Sequence, residues 1–321
     1  MKTISKITSS ILVTLVLAAC GCKSSSSSPN TKPGRVDTSD LTIACPIGAP
    51  AMALYNRLFS DKVEINKPDN VQTWLSEGKK DIVIAPTNAG VAFINAKKAN
   101  YKLAATVTFG NFFIASTGHD TDNKMDKDNY VVVFQQNNLP DKLFKYIYGN
   151  DYNVHYVADN GAATRCLISG VNESDNNASV DYVLVAQPSL MRGLKQNQSA
   201  SLYANLQDAY KEKANCEFTQ ASIFVNNSLS KEKADSFLDE IKEDVETLIA
   251  KPEETVNSTF EDIEDVQLSA KLSVGKAEAI QTIKDGTMGL SFKYAKDIKP
   301  LIDAFMVNLS FGNETSEEIY Y

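Results

Sequence analysis

The sequence predicts an α/β protein built from two open, largely parallel sheets. Short apolar runs alternate with helical stretches between residues 41 and 118. A polar stretch at 117–129 interrupts this alternation, which restarts after it. One further strand is predicted at 221–225, and the chain beyond it is predicted to be helical throughout. Because strands and helices in alternation form βαβ units, each of the two regions predicts a sheet of its own.

The first region repeats a pair of elements, an apolar run followed by an amphipathic stretch. The run at 41–45 is typical of a buried strand, and residues 50–60 place Ala51, Leu54 and Leu58 on one face of a helix. Further strands are predicted at 62–66, 81–85, 101–108 and 112–117, and further helices at 71–77 and 88–100.

The second region repeats the same pattern after the polar stretch. Its strands are predicted at 130–134, 154–157 and 181–186, and its helices at 140–148, 162–169 and 189–194. The final helices are predicted at 231–250, 253–265, 273–281 and 293–308. A strand-rich middle between two flanking segments predicts an inserted lobe: lobe 1 comprises 40–118 and 216–321, and lobe 2 comprises 119–215.

Residues 1–39 predict an export signal followed by a tether. Lys2 and Lys6 provide a basic start, residues 11–17 are apolar, and small residues precede Cys20. The pattern resembles a bacterial lipoprotein signal, in which residues 1–19 are removed and Cys20 becomes a diacylated N-terminal cysteine. The Ser-rich residues 20–39 would then tether the protein to the extracytoplasmic face of the cell membrane. The alternative is an ordinary secretory signal in which Cys20 has no special role.

Composition and charge argue against several classes of function. The chain has 321 residues, 43 % of them apolar, and a net charge of −8. An acidic chain without a basic face is not expected to bind nucleic acid or anionic lipid, so only the lipid anchor would join it to the membrane. His119 and His155 lack metal-ligand spacing and accompany no nucleophile motif. We therefore expect no metal, no cofactor and no enzymatic activity.

Three cysteines lie in the folded region. Cys45 ends a predicted strand before a helix N-terminus, an environment that lowers the pKa of a thiol, but no base accompanies it. A disulfide between Cys45 and Cys216, one between Cys166 and Cys216, and three buried thiols are alternatives that the spacing leaves open.

Several short segments together resemble a family of transport proteins. They are residues 41–53, 78–90 and 101–111, with matching pieces of a second lobe at 181–188 and 220–225. In order and spacing they resemble extracytoplasmic solute-binding proteins of the nitrate/sulfonate/taurine class of ABC importers, which includes binders of thiamine precursors.

The resemblance implies a two-lobed type II periplasmic-binding-protein fold with a central cleft. Such a protein captures a small polar or anionic solute between its lobes and delivers it to a permease and its ATPase. A surface adhesin, or another non-transport lipoprotein on the same fold, is the alternative function.

The candidate ligand site lies where the predicted strands end, because loops there expose backbone N–H groups and helix N-termini. A plain strand-to-helix turn is the alternative at each position. Arg165 is a further candidate contact for an anionic group, with exposed surface as its alternative. The predicted ligand-binding residues are Gly48, Ala49, Met52, Thr87 and Asn88 from lobe 1, Gln135 and Gln187 from lobe 2, and Gly110 and Asn111, which the resemblance places at the ligand or the hinge.

Overall fold

The computed structural model describes residues 35–120 and 122–321, which form two β-sheets flanked by helices. The strands are β1 (Ile43–Pro46), β2 (Val63–Asn66), β3 (Ile82–Pro86), β4 (Tyr101–Phe109), β5 (Phe112–Ser116), β6 (Val131–Phe134), β7 (Val154–Val157), β8 (Val171–Asn172), β9 (Ala178–Ser179), β10 (Tyr182–Ala186), β11 (Ser201–Asn205), β12 (Thr219–Asn226) and β13 (Leu290–Tyr294). The helices are α1 (Ala49–Met52), α2 (Val71–Glu77), α3 (Thr87–Asn95), α4 (Leu139–Tyr148), α5 (Asn160–Ser169), α6 (Ser189–Gln196), α7 (Leu206–Ala214), α8 (Lys231–Ala250), α9 (Pro252–Thr259), α10 (Asp265–Leu272), α11 (Lys276–Lys284) and α12 (Lys299–Asn308).

The predicted signal peptide, Cys20 and most of the predicted tether lie outside the described residues. Within the described ranges, none of the helices combines the length and the apolar composition that a membrane span requires.

The first sheet has six strands in the order β13-β4-β12-β3-β1-β2. β1 pairs in parallel with both β2 and β3, with Ile43 opposite Val63 and Ile82. β12 is antiparallel to β3 on one side and to β4 on the other, so β1, β3 and β4 all run in the same direction. Four of its strands, β1, β3, β4 and β12, are almost entirely buried because helices cover both faces of the sheet.

The second sheet has five strands in the order β11-β5-β10-β6-β7. β10, β6 and β7 are parallel, whereas β5 is antiparallel to β10 and to β11. β8 and β9 form a small separate pair. β5 lies before the predicted lobe boundary at residue 118 but belongs to the second sheet, so the sheets divide at Gly110 and Asn111.

Two apolar clusters hold the described residues together. One fills the face of the first sheet that α8 to α11 cover. The other begins on the opposite face of the first sheet and continues into the second sheet. Stacked rings join its two parts, because Phe218 lies between Phe112 and Phe305 with ring centroids 6.3 and 6.5 Å apart. The molecule therefore has continuous packing beside the point where the chain crosses between sheets.

Two secondary-structure predictions are wrong. The predicted helix at 50–60 divides into the four-residue α1 and a 3₁₀ turn at Tyr55–Arg57. The C-terminal region is not helical throughout, because β13 adds an edge strand to the first sheet. Gly286 and Gly289 both have positive φ and end the helical stretch just before β13.

Both ends of the described chain pack on the first-sheet side. The Val36 N–H donates to Ser236 Oγ on α8 (3.3 Å), and the Thr38 hydroxyl donates to Glu240 (2.7 Å). At the other end, the Tyr321 N–H donates to the Leu103 carbonyl of β4 (3.0 Å). The second sheet therefore lies between two segments of the described chain that both belong to the first-sheet side.

Candidate functional site

The strand ends of both sheets meet where the chain crosses between them. β4 continues through Gly110 and Asn111 into β5, whose first residue, Phe112, pairs with Ala186 at the end of β10. The carboxyl ends of β1, β3 and β4 therefore face those of β6, β7 and β10. We call the edge formed by the carboxyl ends of β1, β3 and β4, together with the loops that follow these strands, the crossing edge. Ligands of open α/β sheets bind at such carboxyl ends.

The loop after β1 offers backbone rather than side chains. Gly48 has φ 104° and ψ −147°, a conformation that only glycine adopts readily, and its N–H donates to the Lys271 carbonyl of α10 (3.1 Å). A Cβ built on Gly48 would meet open space. Ala49 and Met52 place their side chains in the apolar core, so neither side chain is available to a solute.

Thr87 and Asn88 begin α3 directly after β3, and they differ in their contacts. Thr87 Oγ1 lies 2.8 Å from Ser222 Oγ, which lies 2.9 Å from Thr106 Oγ1, so these buried hydroxyls satisfy one another. Asn88 is 7 % exposed, and its Oδ1 is buried without a hydrogen-bond partner in the described part of the chain. Thr87 thus has a structural role, whereas Asn88 retains a free acceptor.

Two further threonines at the crossing edge were missed by sequence reasoning. Thr108 Oγ1 near the end of β4 and Thr219 Oγ1 at the start of β12 are buried and unpartnered among the described residues. Both side chains are completely buried. In the sequence, each of these threonines is a polar residue at the end of an otherwise apolar strand. This pattern could have drawn attention to them, but it does not reveal which hydroxyls lack a hydrogen-bond partner.

Gly110 is required by packing at the crossing. A Cβ there would lie 2.5 Å from Gln207 Cβ on α7. Gln207 Oε1 accepts from the Phe218 N–H (3.1 Å), and Gln207 Nε2 donates to the Phe218 carbonyl (3.3 Å). Gln207 therefore fixes the outgoing and the returning crossings against each other, and Gly110 packs directly against it.

Asn111 and Gln187 come together in one hydrogen-bond network. Asn111 Nδ2 donates to the Gln187 carbonyl (3.1 Å), and the Gln187 N–H donates to the Asn111 carbonyl (2.8 Å). Gln220 of β12 accepts from the Asn111 N–H (3.0 Å). These contacts satisfy Asn111, which is buried, and tie both crossings to β10.

Two contacts join α6 and the loop before it, on the second-sheet side, to α11 and the loop after it, on the first-sheet side. Gln187 Nε2 donates to Thr287 Oγ1 (3.2 Å), and Lys195 Nζ lies 3.1 Å from Glu278 Oε1. The apolar cluster of the first sheet holds α11 through Ala279. The pair of contacts therefore holds the two sides together at the outer end of the site.

The opposing edge, on the second sheet, exposes amides and carries its own carboxylates. Gln135 follows β6 with φ 56° and is half-buried. Asp141 accepts from the Asn137 N–H (2.7 Å) in front of α4, and Asp159 caps α5 by accepting from the Ala162 N–H (2.8 Å). Arg165 lies on α5 with an exposed side chain. One N–H before α4 and one N–H in the first turn of α5 thus already have carboxylate acceptors.

Burial, rather than the helix N-terminus, determines the state of the Cys45 thiol. The thiol is completely buried and lies 3.4 Å from the Pro46 carbonyl. Burial raises its pKa well above the ordinary value, so it is a neutral thiol at physiological pH. Cys45, Cys166 and Cys216, the cysteines within the described residues, are all free.

A cavity of about 660 Å³ lies at the opposite edge of the first sheet, where β4 begins and β12 ends. Its main polar groups are already paired, because the Tyr321 hydroxyl donates to Asp235 (2.8 Å) and the Tyr294 hydroxyl donates to Asp239 (2.8 Å). Since unpartnered polar groups collect at the crossing edge instead, we assign the candidate site there.

Comparisons with known proteins show the fold. No protein-family model and no curated protein matches the chain. An ABC transporter from Parabacteroides distasonis is similar in structure, with a TM-score of 0.68 at 18 % identity over 88 % of this chain and 98 % of that one. The periplasmic aliphatic sulphonate binding protein SsuA from Escherichia coli gives a TM-score of 0.57 at 13 % identity, over 88 % and 91 % of the two chains.

A third similar structure is the Candida albicans CA3427 gene product, described as having the generic periplasmic binding protein fold. Its TM-score is 0.54 at 12 % identity, over 84 % of this chain and 89 % of that one. These likenesses extend over most of each chain, and the described residues form two separate sheets, as predicted. The predicted two-lobed α/β fold of the periplasmic-binding-protein type is confirmed.

Proposed function

We propose that this protein is the solute-binding subunit of an ABC importer. The observation that carries the proposal is the meeting of strand ends from two sheets at a hinge, with unpartnered buried polar groups on one of the facing edges. Buried polar groups without partners cost folding free energy, so a protein that keeps several in one place has a reason other than stability.

The proposal divides the chain into two moving bodies. The first sheet with its helices forms one lobe, the second sheet with its helices forms the other, and Gly110, Asn111 and Gln207 lie at the hinge. A small polar solute binds between the lobes, and the contacts of Gln187 with Thr287 and of Lys195 with Glu278 close over it. A permease and its ATPase then receive the solute.

The similar structures support this proposal through what they are described as doing. One belongs to an ABC transporter, and another binds aliphatic sulphonates in the periplasm. For this chain we propose an extracytoplasmic location, with a lipid on Cys20 and the Ser-rich segment as tether. The resemblance of residues 1–20 to a lipoprotein signal supports the anchor.

A thermal-shift screen of small polar solutes tests solute binding. A solute that binds only the folded protein raises its stability by RT ln(1 + [L]/Kd), about 2.7 kcal/mol at a concentration of 100 Kd. We expect a stabilising solute for the wild type and a loss of that shift for Asn88→Ala. Asn227→Ala is the matched control, because Asn227 lies beyond the opposite end of β12, where its side-chain amide donates to Asn100 (2.8 Å).

The control should respond to the solute as the wild type does. A stabilising solute whose effect survives Asn88→Ala unchanged would place binding elsewhere. Absence of any stabilising solute, together with no solute in native mass spectra of the purified protein, would contradict the importer assignment.

A further inference from the structure

The two lobes contact each other on both faces of the first sheet. Helices α11 and α12 lie on opposite faces, because Ala279 of α11 packs in one apolar cluster and Phe305 of α12 packs in the other. On one face, Thr287 and Glu278 contact the second-sheet side. On the other face, Asn308 of α12 contacts α7. A rotation about the crossing, which lies between the faces, therefore separates one contact region while the other stays together.

The contacts on the α11 face are polar and partly exposed. Gln187 Nε2 donates to Thr287 Oγ1 (3.2 Å), and Lys195 Nζ lies 3.1 Å from Glu278 Oε1. We call these two contacts the latch. The Lys195 side chain is 73 % exposed, so water competes for its ammonium group and the ion pair contributes little to stability. Separation of the latch returns its groups to water.

The contacts on the α12 face are aromatic and buried. The ring centroid of Phe218, on the returning crossing, lies 6.3 Å from that of Phe112 on β5, 5.5 Å from Tyr210 on α7 and 6.5 Å from Phe305 on α12. We call these four rings the joint. Three of them are completely buried, and Phe112 is 6 % exposed. Separation of the joint would bring apolar surface into contact with water, which is unfavourable.

Polar contacts reinforce the joint from its margin. Lys142 Nζ on α4 donates to the Ser310 carbonyl (2.6 Å) and lies 4.4 Å from the ring centroid of Phe311. Asn308 Nδ2 on α12 donates to the Tyr210 hydroxyl (3.1 Å). The joint therefore combines buried rings with hydrogen bonds between the lobes, whereas both latch contacts are polar.

We propose that the lobes open by separating α6 from α11 at the latch while the joint stays packed, so that a solute enters between these two helices. This inference rests on the proposed function and specifies how its site opens. Opening at the latch exchanges polar contacts for contacts with water, whereas opening at the joint exposes aromatic rings. Gly110 and Asn111 carry the chain from β4 to β5, so a change in their backbone angles turns one lobe against the other.

Distances between two spin labels, measured by pulsed electron paramagnetic resonance, test the direction of opening without a solute. Each label is attached to an introduced cysteine at an exposed position, in a background that carries Cys20→Ser, Cys22→Ser and Cys216→Ser. Cys45 and Cys166 are buried. The latch-side pair is Arg192→Cys on α6 with Gln281→Cys on α11, and the joint-side pair is Glu212→Cys on α7 with Val307→Cys on α12.

Removal of the latch should lengthen one distance and leave the other unchanged. The double variant Lys195→Ala, Thr287→Val removes a hydrogen-bonding group from each latch contact. We expect it to lengthen the latch-side distance by more than about 2 Å, the scale of hinge rearrangements. An unchanged joint-side distance would show that the lobes remain folded and packed there. Lys284→Ala is the matched control on α11, because Lys284 pairs with Glu253 of the same lobe (2.7 Å), and it should change neither distance.

The remaining outcomes contradict the proposed opening. A joint-side distance that lengthens, alone or together with the latch-side distance, would show that the joint does not stay packed. A latch-side distance that is the same in the double variant as in the labelled parent would show that the latch does not hold the lobes together. Either result leaves the solute screen unaffected, so failure of this inference and failure of the importer assignment are separate findings.

Discussion

Asp244 on α8 shows at the residue scale how burial changes a carboxyl group. Asn56 Nδ2 donates to its Oδ1 (2.8 Å), whereas Oδ2 is buried and unpartnered in the described structure. Burial raises the Asp244 pKa to about 6; nearby Glu240 raises it and Arg57 lowers it. The folded state therefore holds this proton more tightly than the unfolded state, and the contribution of Asp244 to stability falls as the pH rises from about 4 to 6.

Asp244→Asn is expected to stabilise the protein at pH 7 by about 1–2 kcal/mol, a value reduced for the partial solvent access of the group. At pH 4 the difference should vanish, because the wild-type carboxyl is then protonated. Urea unfolding of both proteins between pH 4 and 8 measures this difference in the free energy of unfolding. Asp61→Asn, which removes an exposed charge, should change stability by less than about 0.5 kcal/mol at either pH. If Asp244→Asn stabilised the protein equally at all pH values, ionisation of Asp244 could not be the cause.

At the same scale, sequence reasoning located the crossing edge but not the roles of its residues. Thr87 and Asn88 are adjacent and equally polar in the sequence, yet only Asn88 has a free acceptor. The difference arises because Ser222 reaches Thr87 from β12, more than 130 positions away in the chain. A hydrogen-bond partner that lies so far away in the chain leaves no signal in the sequence around Thr87.

The position of α3 depends on one glycine at the scale of the element. Gly90 lies against the ring of Phe224 so closely that an added Cβ would be 2.0 Å from Cζ. Phe224 is completely buried on β12 and cannot move away easily. This close approach sets the height of α3 above the sheet and hence the position of Asn88.

Gly90→Ala is expected to lower the free energy of unfolding by about 1–3 kcal/mol through overpacking. It should also weaken solute binding, because α3 must shift. Urea denaturation and calorimetry measure the two effects. Gly312→Ala is the matched control, since its Cβ would lie 3.8 Å from Met306 Cε. Wild-type stability in Gly90→Ala would show that α3 accommodates the methyl group freely.

Strands that form a buried apolar run could be predicted from the sequence, whereas strands that are partly exposed could not. β3 and β10 are continuous apolar stretches, and both were placed within one residue of their observed starts. β11 is largely exposed and β13 only partly buried, so neither produces such a run. β11 and β13 lie at the outer edges of the two main sheets, where fewer side chains need to be apolar.

Attachment to the membrane is a property of the whole molecule. We expect Cys20→Ala to block lipidation and to release the protein from the membrane fraction, because it removes the thiol to which the lipid would be attached. Cell fractionation with immunoblotting measures the distribution, and Cys22→Ala is the control that should remain membrane-bound. Retention and processing of Cys20→Ala as in the wild type would contradict the lipoprotein signal.

The order of the strands also decides which sheet can form first as the chain emerges from its N-terminal end. All five strands of the second sheet lie between residues 112 and 205, so all of them have emerged before β12. The first sheet must wait, because β12 separates β3 from β4 and arrives more than 100 residues after them. β1 to β4 therefore come first in the chain, but their sheet is completed last. Until β12 pairs with them, the edges of β3 and β4 are unpaired and apolar, so these two strands are the segments that we expect a chaperone to bind.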